Sequence, residues 1–114
     1  MKDKIKNVSI IIITYKSSKK LVKLIKKIPC QSPILIVDNS NDQKLTKIFN
    51  KNKNISIYFK KNDGYGSSIN YVAKKIKTEY FFVIQPDVSG IDKNAIITFY
   101  DYAKKLKNKF SVIG

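Results

Sequence analysis

The residues Val8-Ser9-Ile10-Ile11-Ile12-Ile13-Thr14 indicate the fold class of this chain. Its four consecutive isoleucines leave no polar face, so a strand built from them must be covered on both sides. Strands of this kind lie inside parallel sheets that carry helices on both faces. The stretch therefore predicts a central strand of an α/β protein.

On the C-terminal side of this stretch, strand-like and helix-like patterns alternate. Further apolar runs predict strands over 34–37, 55–59, 80–84 and 110–113. Helical spacing of apolar residues predicts four helices. The first follows Ser17 and Ser18 as caps, the second covers 43–50, the third starts at Ser67, and the fourth follows Asp92 as its cap. The order βαβαβαβαβ predicts a mainly parallel sheet with helices on both faces. We expect one domain over residues 1–114, which stops after its fifth strand.

The charge of the chain is large but says little about partners. Its 23 basic residues are all lysines, against 8 acidic residues, and the formal net charge is +15. Lysine together with abundant isoleucine and asparagine is typical of A/T-rich codon use. Proteins that read nucleic acids rely on arginine for bidentate contacts, so we expect no specific nucleic-acid partner. A basic protein that binds membrane surfaces or nucleic acid stays open as an alternative.

Several kinds of site are excluded by what the sequence lacks. With a lone Cys30 and no histidine, it offers no internal disulfide, no zinc site of the usual kind and no histidine-based triad. No phosphate-binding P-loop motif is present, and Gly64-x-Gly66 lacks the third glycine of a dinucleotide fingerprint. No apolar run approaches the roughly 20 residues of a membrane span, and no signal peptide is recognised. We therefore expect a cytoplasmic protein.

Polar residues follow the predicted strands at their carboxyl ends. These are Thr14 and Tyr15, then Asp38, then residues 62–66, and finally Asp87. Parallel sheets bind ligands outside these ends, near the point where the strand order reverses. From the residues alone, Tyr15 could equally be a tyrosine at the edge of the core, and Asp38 a turn-forming residue.

Four segments together resemble a known family. They are Val8-Ser9-Ile10-Ile11-Ile12-Ile13-Thr14-Tyr15, Ile36-Val37-Asp38-Asn39-Ser40, Asn62-Asp63-Gly64-Tyr65-Gly66 with Asn70, and Glu79-Tyr80-Phe81-Phe82-Val83-Ile84-Gln85-Pro86-Asp87-Val88. In this order and spacing they resemble the nucleotide-sugar half of family 2 glycosyltransferases, which have the GT-A fold. The rhamnosyltransferase-like branch looks most similar. The resemblance spans essentially the whole chain.

The resemblance implies a donor site at this edge of the sheet. Thr14 and Tyr15 would border the base, and Asp38 would accept a hydrogen bond from a pyrimidine imide. The remaining donor-binding residues that it implies are Asn62, Gly64, Tyr65, Gly66, Asn70 and Gln85. Asp87 would bind a divalent cation, Mg²⁺ or Mn²⁺, that neutralises the leaving nucleoside diphosphate. The sequence departs from the family at Gln85, where Asp or Asn is usual, and at Lys16, where Asn commonly follows Thr-Tyr.

The catalytic residue stays unassigned. In the family, the acceptor site and the carboxylate base come from a further segment, and neither Asp63, Asp92 nor Asp101 is a convincing substitute. We therefore expect the donor-binding part of an enzyme of cell-envelope polysaccharide synthesis, without its acceptor half. It would use a UDP- or dTDP-linked sugar and a glycan or lipid-linked acceptor, in the cytoplasm or at the inner face of the membrane. A non-catalytic nucleotide-sugar-binding module or a gene fragment is the alternative.

Overall fold

A computed structural model describes residues 7–28, 32–86, 93–106 and 110–112. In these ranges five strands alternate with four helices, as the sequence predicts. The strands are β1 (Val8–Thr14), β2 (Ile34–Asp38), β3 (Ile55–Phe59), β4 (Tyr80–Ile84) and β5 (Phe110–Val112); the helices are α1 (Ser18–Ile25), α2 (Lys44–Ile48), α3 (Tyr65–Ala73) and α4 (Lys93–Leu106).

The sheet is parallel throughout and has the order β3-β2-β1-β4-β5. β1 lies in the middle and every one of its residues is buried, which confirms the prediction from the isoleucine run. Its register pairs Thr14 with Asp38 on one side and Ile12 with Ile84 on the other. The chain places β2 and β3 on one side of β1, and β4 and β5 on the other. The strand order thus reverses at β1, and parallel sheets bind ligands at such a point.

The side chains of β1 point alternately into two separate cores. Ile10 and Ile12 belong to a cluster that includes Leu21 of α1, Leu45 of α2 and Ile96 of α4. On the opposite face, Ile11 and Ile13 pack in a second cluster with Val72 of α3. Helices therefore cover both faces of the sheet, which confirms the predicted fold class.

The third helix begins earlier than the sequence predicts. The expected start was Ser67, but α3 begins at Tyr65, so Gly66 lies in its first turn. The residue directly before the helix is Gly64, whose backbone φ of 116° is accessible to glycine and rare for other residues. No side chain caps this helix, so the serine that suggested the start does not define it. The residues Asp92 and Ile113, which the sequence assigns to a cap and to the last strand, lie outside the described residues.

Candidate functional site

A cleft of about 330 Å³ opens at the carboxyl end of β1, where the strand order reverses. The end of β1, the loops after β1, β2, β3 and β4, and the beginnings of α1 and α3 line it. Its volume falls in the range of small-ligand sites, about 300–1,000 Å³. The described residues that line it are Ile13, Thr14, Tyr15, Ser17, Lys20, Asn39, Asn62, Tyr65, Gln85 and Pro86.

The loop after β1 carries an exposed tyrosine in a fixed backbone. Tyr15 is 49% exposed, and the hydroxyl of Ser17 donates to its carbonyl oxygen at 3.0 Å. The backbone of Lys16 has a φ of 53°, in the left-handed region that residues other than glycine and asparagine rarely adopt. The Lys16 ammonium lies 5.3 Å from the centre of the Tyr15 ring, within the range of cation–π attraction. The asparagine common in the family at position 16 suits this backbone better than lysine does.

Thr14 lines the cleft and carries a buried hydroxyl. The residue is 3% exposed, and its Oγ1 has no hydrogen-bond partner among the described residues. Its carbonyl oxygen accepts the backbone N–H of Asn39 at 2.9 Å, which ties the end of β1 to the loop after β2. A buried hydroxyl without a partner costs free energy.

The buried side chain of Asp38 holds the loop after β2 through hydrogen bonds. The residue is 1% exposed and does not line the cleft. One carboxylate oxygen accepts the hydroxyl of Ser40 at 2.8 Å, and the other accepts the backbone N–H of Asp42 at 2.6 Å. Asp42 in turn accepts the N–H of Lys44 at 3.1 Å, and the residue directly before α2, Gln43, makes no side-chain cap. These contacts form the turn, while the role of Asp38 toward a base stays a prediction.

Asn39 joins three elements around the cleft. Its side-chain amide donates to the carbonyl oxygen of Lys60 after β3 at 3.0 Å and to the hydroxyl of Ser68 on α3 at 3.1 Å. Ser68 is fully buried, so a buried residue holds the Asn39 side chain in place at the wall of the cleft. Sequence reasoning did not single out Asn39 as a ligand residue. The available signal was its place directly after Asp38, at the same edge of the sheet.

A second tyrosine enters the cleft from the start of α3. The left-handed Gly64 turns the chain so that Tyr65 opens the helix, and Tyr65 stays 40% exposed. Partial burial raises the pKa of the Tyr65 hydroxyl, and a protonated tyrosine hydroxyl can donate a hydrogen bond. Asn62, two residues before Gly64, also lines the cleft.

The structure brings half of the predicted site together. Among the predicted residues, five line the cleft: Thr14, Tyr15, Asn62, Tyr65 and Gln85. Gly66 and Asn70 lie on α3 and Gly64 directly precedes it, and none of the three lines the cleft; Asp38 is buried and does not line it either. The predicted metal ligand, Asp87, lies outside the described residues. Ser17 and Lys20 line the cleft but were not predicted to, because the sequence assigned the first to a helix cap and the second to the polar face of α1.

The described cleft residues carry one formal charge, the ammonium of Lys20 on α1. None of them is acidic, so this part of the cleft favours an anionic ligand. The described ranges also hold no group of three or more histidine, cysteine or acidic side chains that would bind a metal ion. A divalent cation is thus not accounted for by the described residues alone.

The fold and cleft define an α/β protein with a ligand site at the switch point of its sheet. The family model described as Glycosyl transferase family 2 matches residues 9–111, and the chain belongs to this family. Such enzymes generally use a divalent cation, a nucleotide-sugar donor and an acceptor.

A solved structure has a similar fold. It is the crystal structure of S. aureus TarS 1-349, with a TM-score of 0.68 at 20% sequence identity. The match covers 87% of this chain and 32% of that chain, so the chain spans about a third of the TarS structure. No curated protein matches the chain. None of the helices in the described ranges has both the length and the apolar character that a bilayer crossing demands.

Proposed function

We propose that this chain binds the nucleotide-sugar donor of a family 2 glycosyltransferase in the cleft at the end of β1. The observation that carries the proposal is the composition of that cleft in a chain of this family. Tyr15 and Tyr65 present two exposed rings on which a planar base can pack. The ammonium group of Lys20, the charged group among the described cleft residues, can bind a diphosphate.

Amide side chains supply the neutral hydrogen-bonding groups of the proposed site. Asn62 and Gln85 each carry donors and an acceptor, and Asn39 lines the cleft beside them. Because Asn39 is already held by Lys60 and Ser68, it presents a rigid wall that costs little ordering on binding. These residues would bind and orient the donor, and no residue of the chain is assigned as the base.

The divalent cation enters the proposal through Asp87. The two residues before it, Gln85 and Pro86, line the cleft, which supports a cation site at this end. When bound, a cation would neutralise charge on the departing nucleoside diphosphate. Transfer to a glycan or lipid-linked acceptor, and peripheral contact with a membrane, belong to the same proposal for the whole enzyme.

Titration calorimetry tests donor binding directly. We expect UDP or dTDP to bind more tightly with Mg²⁺ or Mn²⁺ than with a chelator, and more tightly than tripolyphosphate. Lys20→Met should weaken UDP about two- to fivefold, as loss of one exposed charge contact would, and should leave uridine unchanged. The matched control is Lys23→Met, on the same helix but outside the cleft. Equal binding of UDP and tripolyphosphate would refute a donor site.

A further inference from the structure

The buried carboxylate of Asp38 reaches the cleft through another side chain. The hydroxyl of Ser40 donates to Asp38 Oδ1 at 2.8 Å. The same hydroxyl oxygen accepts the backbone N–H of Lys16 at 3.0 Å. One side chain therefore links the loop after β2 to the loop after β1, across 24 residues of sequence.

Lys16 needs such a link because of its backbone conformation. Its φ of 53° is a left-handed conformation that a lysine leaves readily unless other contacts hold it. The hydroxyl of Ser17 fixes the carbonyl of the preceding residue, Tyr15. Ser40 fixes the N–H on the other side of the same peptide bond. Together the two serines hold the peptide that follows the Tyr15 ring.

We infer that Ser40, held by Asp38, is a positioning residue that keeps the ring of Tyr15 in its ligand-binding position in the cleft. Without the Ser40 hydroxyl, Lys16 relaxes toward negative φ, and this rotation carries the Tyr15 ring away. Asp38 then influences ligand affinity through Ser40 rather than by touching the base. This inference rests on the proposed donor binding for its ligand.

A double-mutant cycle distinguishes positioning from direct contact. We expect Tyr15→Ala to weaken UDP about 5- to 100-fold, the range for loss of one base–aromatic stack. Ser40→Ala should weaken UDP about threefold or more, and in the Tyr15→Ala background it should have no further effect, because contributions that act through one group do not add. Ser40→Thr, which keeps the hydroxyl, should bind like the parent. Ser56→Ala is the matched control, since Ser56 is the exposed residue of β3 and does not line the cleft.

A second readout needs no ligand. In Ser40→Ala we expect the Lys16 amide proton to exchange with solvent faster and the Tyr15 ring resonances to shift, with both restored in Ser40→Thr. If Ser40→Ala does not fold, Ser40→Cys replaces it, since a thiol has similar volume and makes weak hydrogen bonds.

The outcomes separate the inference from the proposed function. Parent protein that binds no nucleotide overturns the proposed function, and the amide and ring signals then decide the link between Ser40 and Tyr15. Nucleotide binding that Ser40→Ala leaves unchanged overturns the inference alone. An equal loss in both Tyr15 backgrounds also overturns it, because Ser40 would then act directly or through the whole fold.

Discussion

Replacing Thr14 by valine should stabilise the protein. The Thr14 hydroxyl is buried at the end of β1 and has no partner among the described residues. An unsatisfied buried polar group costs about 1–3 kcal/mol, and valine has nearly the same shape and a higher preference for strands. We therefore expect Thr14→Val to raise the free energy of unfolding by about 1 kcal/mol, the lower end of that range.

The same substitution at Thr78 should have the opposite effect. Thr78 Oγ1 donates to the carbonyl oxygen of Tyr80 at 2.7 Å and shares a 2.6 Å hydrogen bond with Ser9. Thr78→Val removes both contacts and leaves the hydroxyl of Ser9, a buried residue, without this partner. We expect a loss of about 1–3 kcal/mol.

Urea unfolding followed by circular dichroism measures both changes. A gain of 1 kcal/mol corresponds to a rise in Tm of about 4 °C for a domain of this size. Thr14→Val that lowers the free energy of unfolding by 1 kcal/mol or more, or Thr78→Val that raises it, would refute the reasoning from hydroxyl satisfaction. If the Thr14 hydroxyl serves a bound donor, Thr14→Val should also weaken UDP, so that stability is gained at the expense of affinity.

Three further predictions use other parts of the structure. Gly64→Ala should destabilise the protein by about 1–3 kcal/mol because of its φ of 116°, whereas Gly66→Ala in the first turn of α3 should stabilise it by about 0.5–1 kcal/mol; thermal unfolding compares the two. Lys60, whose ammonium contacts Asp63 at 2.7 Å, holds the pKa of that carboxyl below its usual 3.8. The stabilisation from this pair should therefore be present above pH 3.8 and be lost as the pH falls through the lowered pKa, and carbon-detected NMR should show the pKa moving back up in Lys60→Met. Asp38→Ala should cost about 3 kcal/mol or more, since it removes two hydrogen bonds to a buried carboxylate, and urea unfolding that shows less than 1 kcal/mol would contradict this.

The sequence predicts the strands of this fold better than its helix ends and site walls. A strand made of a run such as Ile10–Ile13 has apolar side chains on both faces, and both faces must be buried. The strands and the parallel sheet can therefore be predicted from the local pattern. The start of α3 depends instead on the backbone angle of Gly64, and a nearby serine gave the wrong position. Side chains such as Asn39 and Lys20 line the cleft because β1, β2 and α1 pack next to one another in the folded chain. Residue type and spacing do not predict this tertiary packing. The resemblance therefore located the edge of the sheet but missed some of the residues that line the cleft.

The parallel pairing of β1 with β4 has a consequence for how the protein folds. Val8 pairs with Tyr80, so the chain must close a loop of about 70 residues before this pair of strands forms, and loop closure of that length is entropically costly and slow. The pairs β1–β2 and β2–β3 connect segments nearer in sequence and can form first. The wall of the cleft that follows β4 is therefore completed late. A ligand that touches both sides of the cleft would bind only after this step, and would slow unfolding more than it speeds folding.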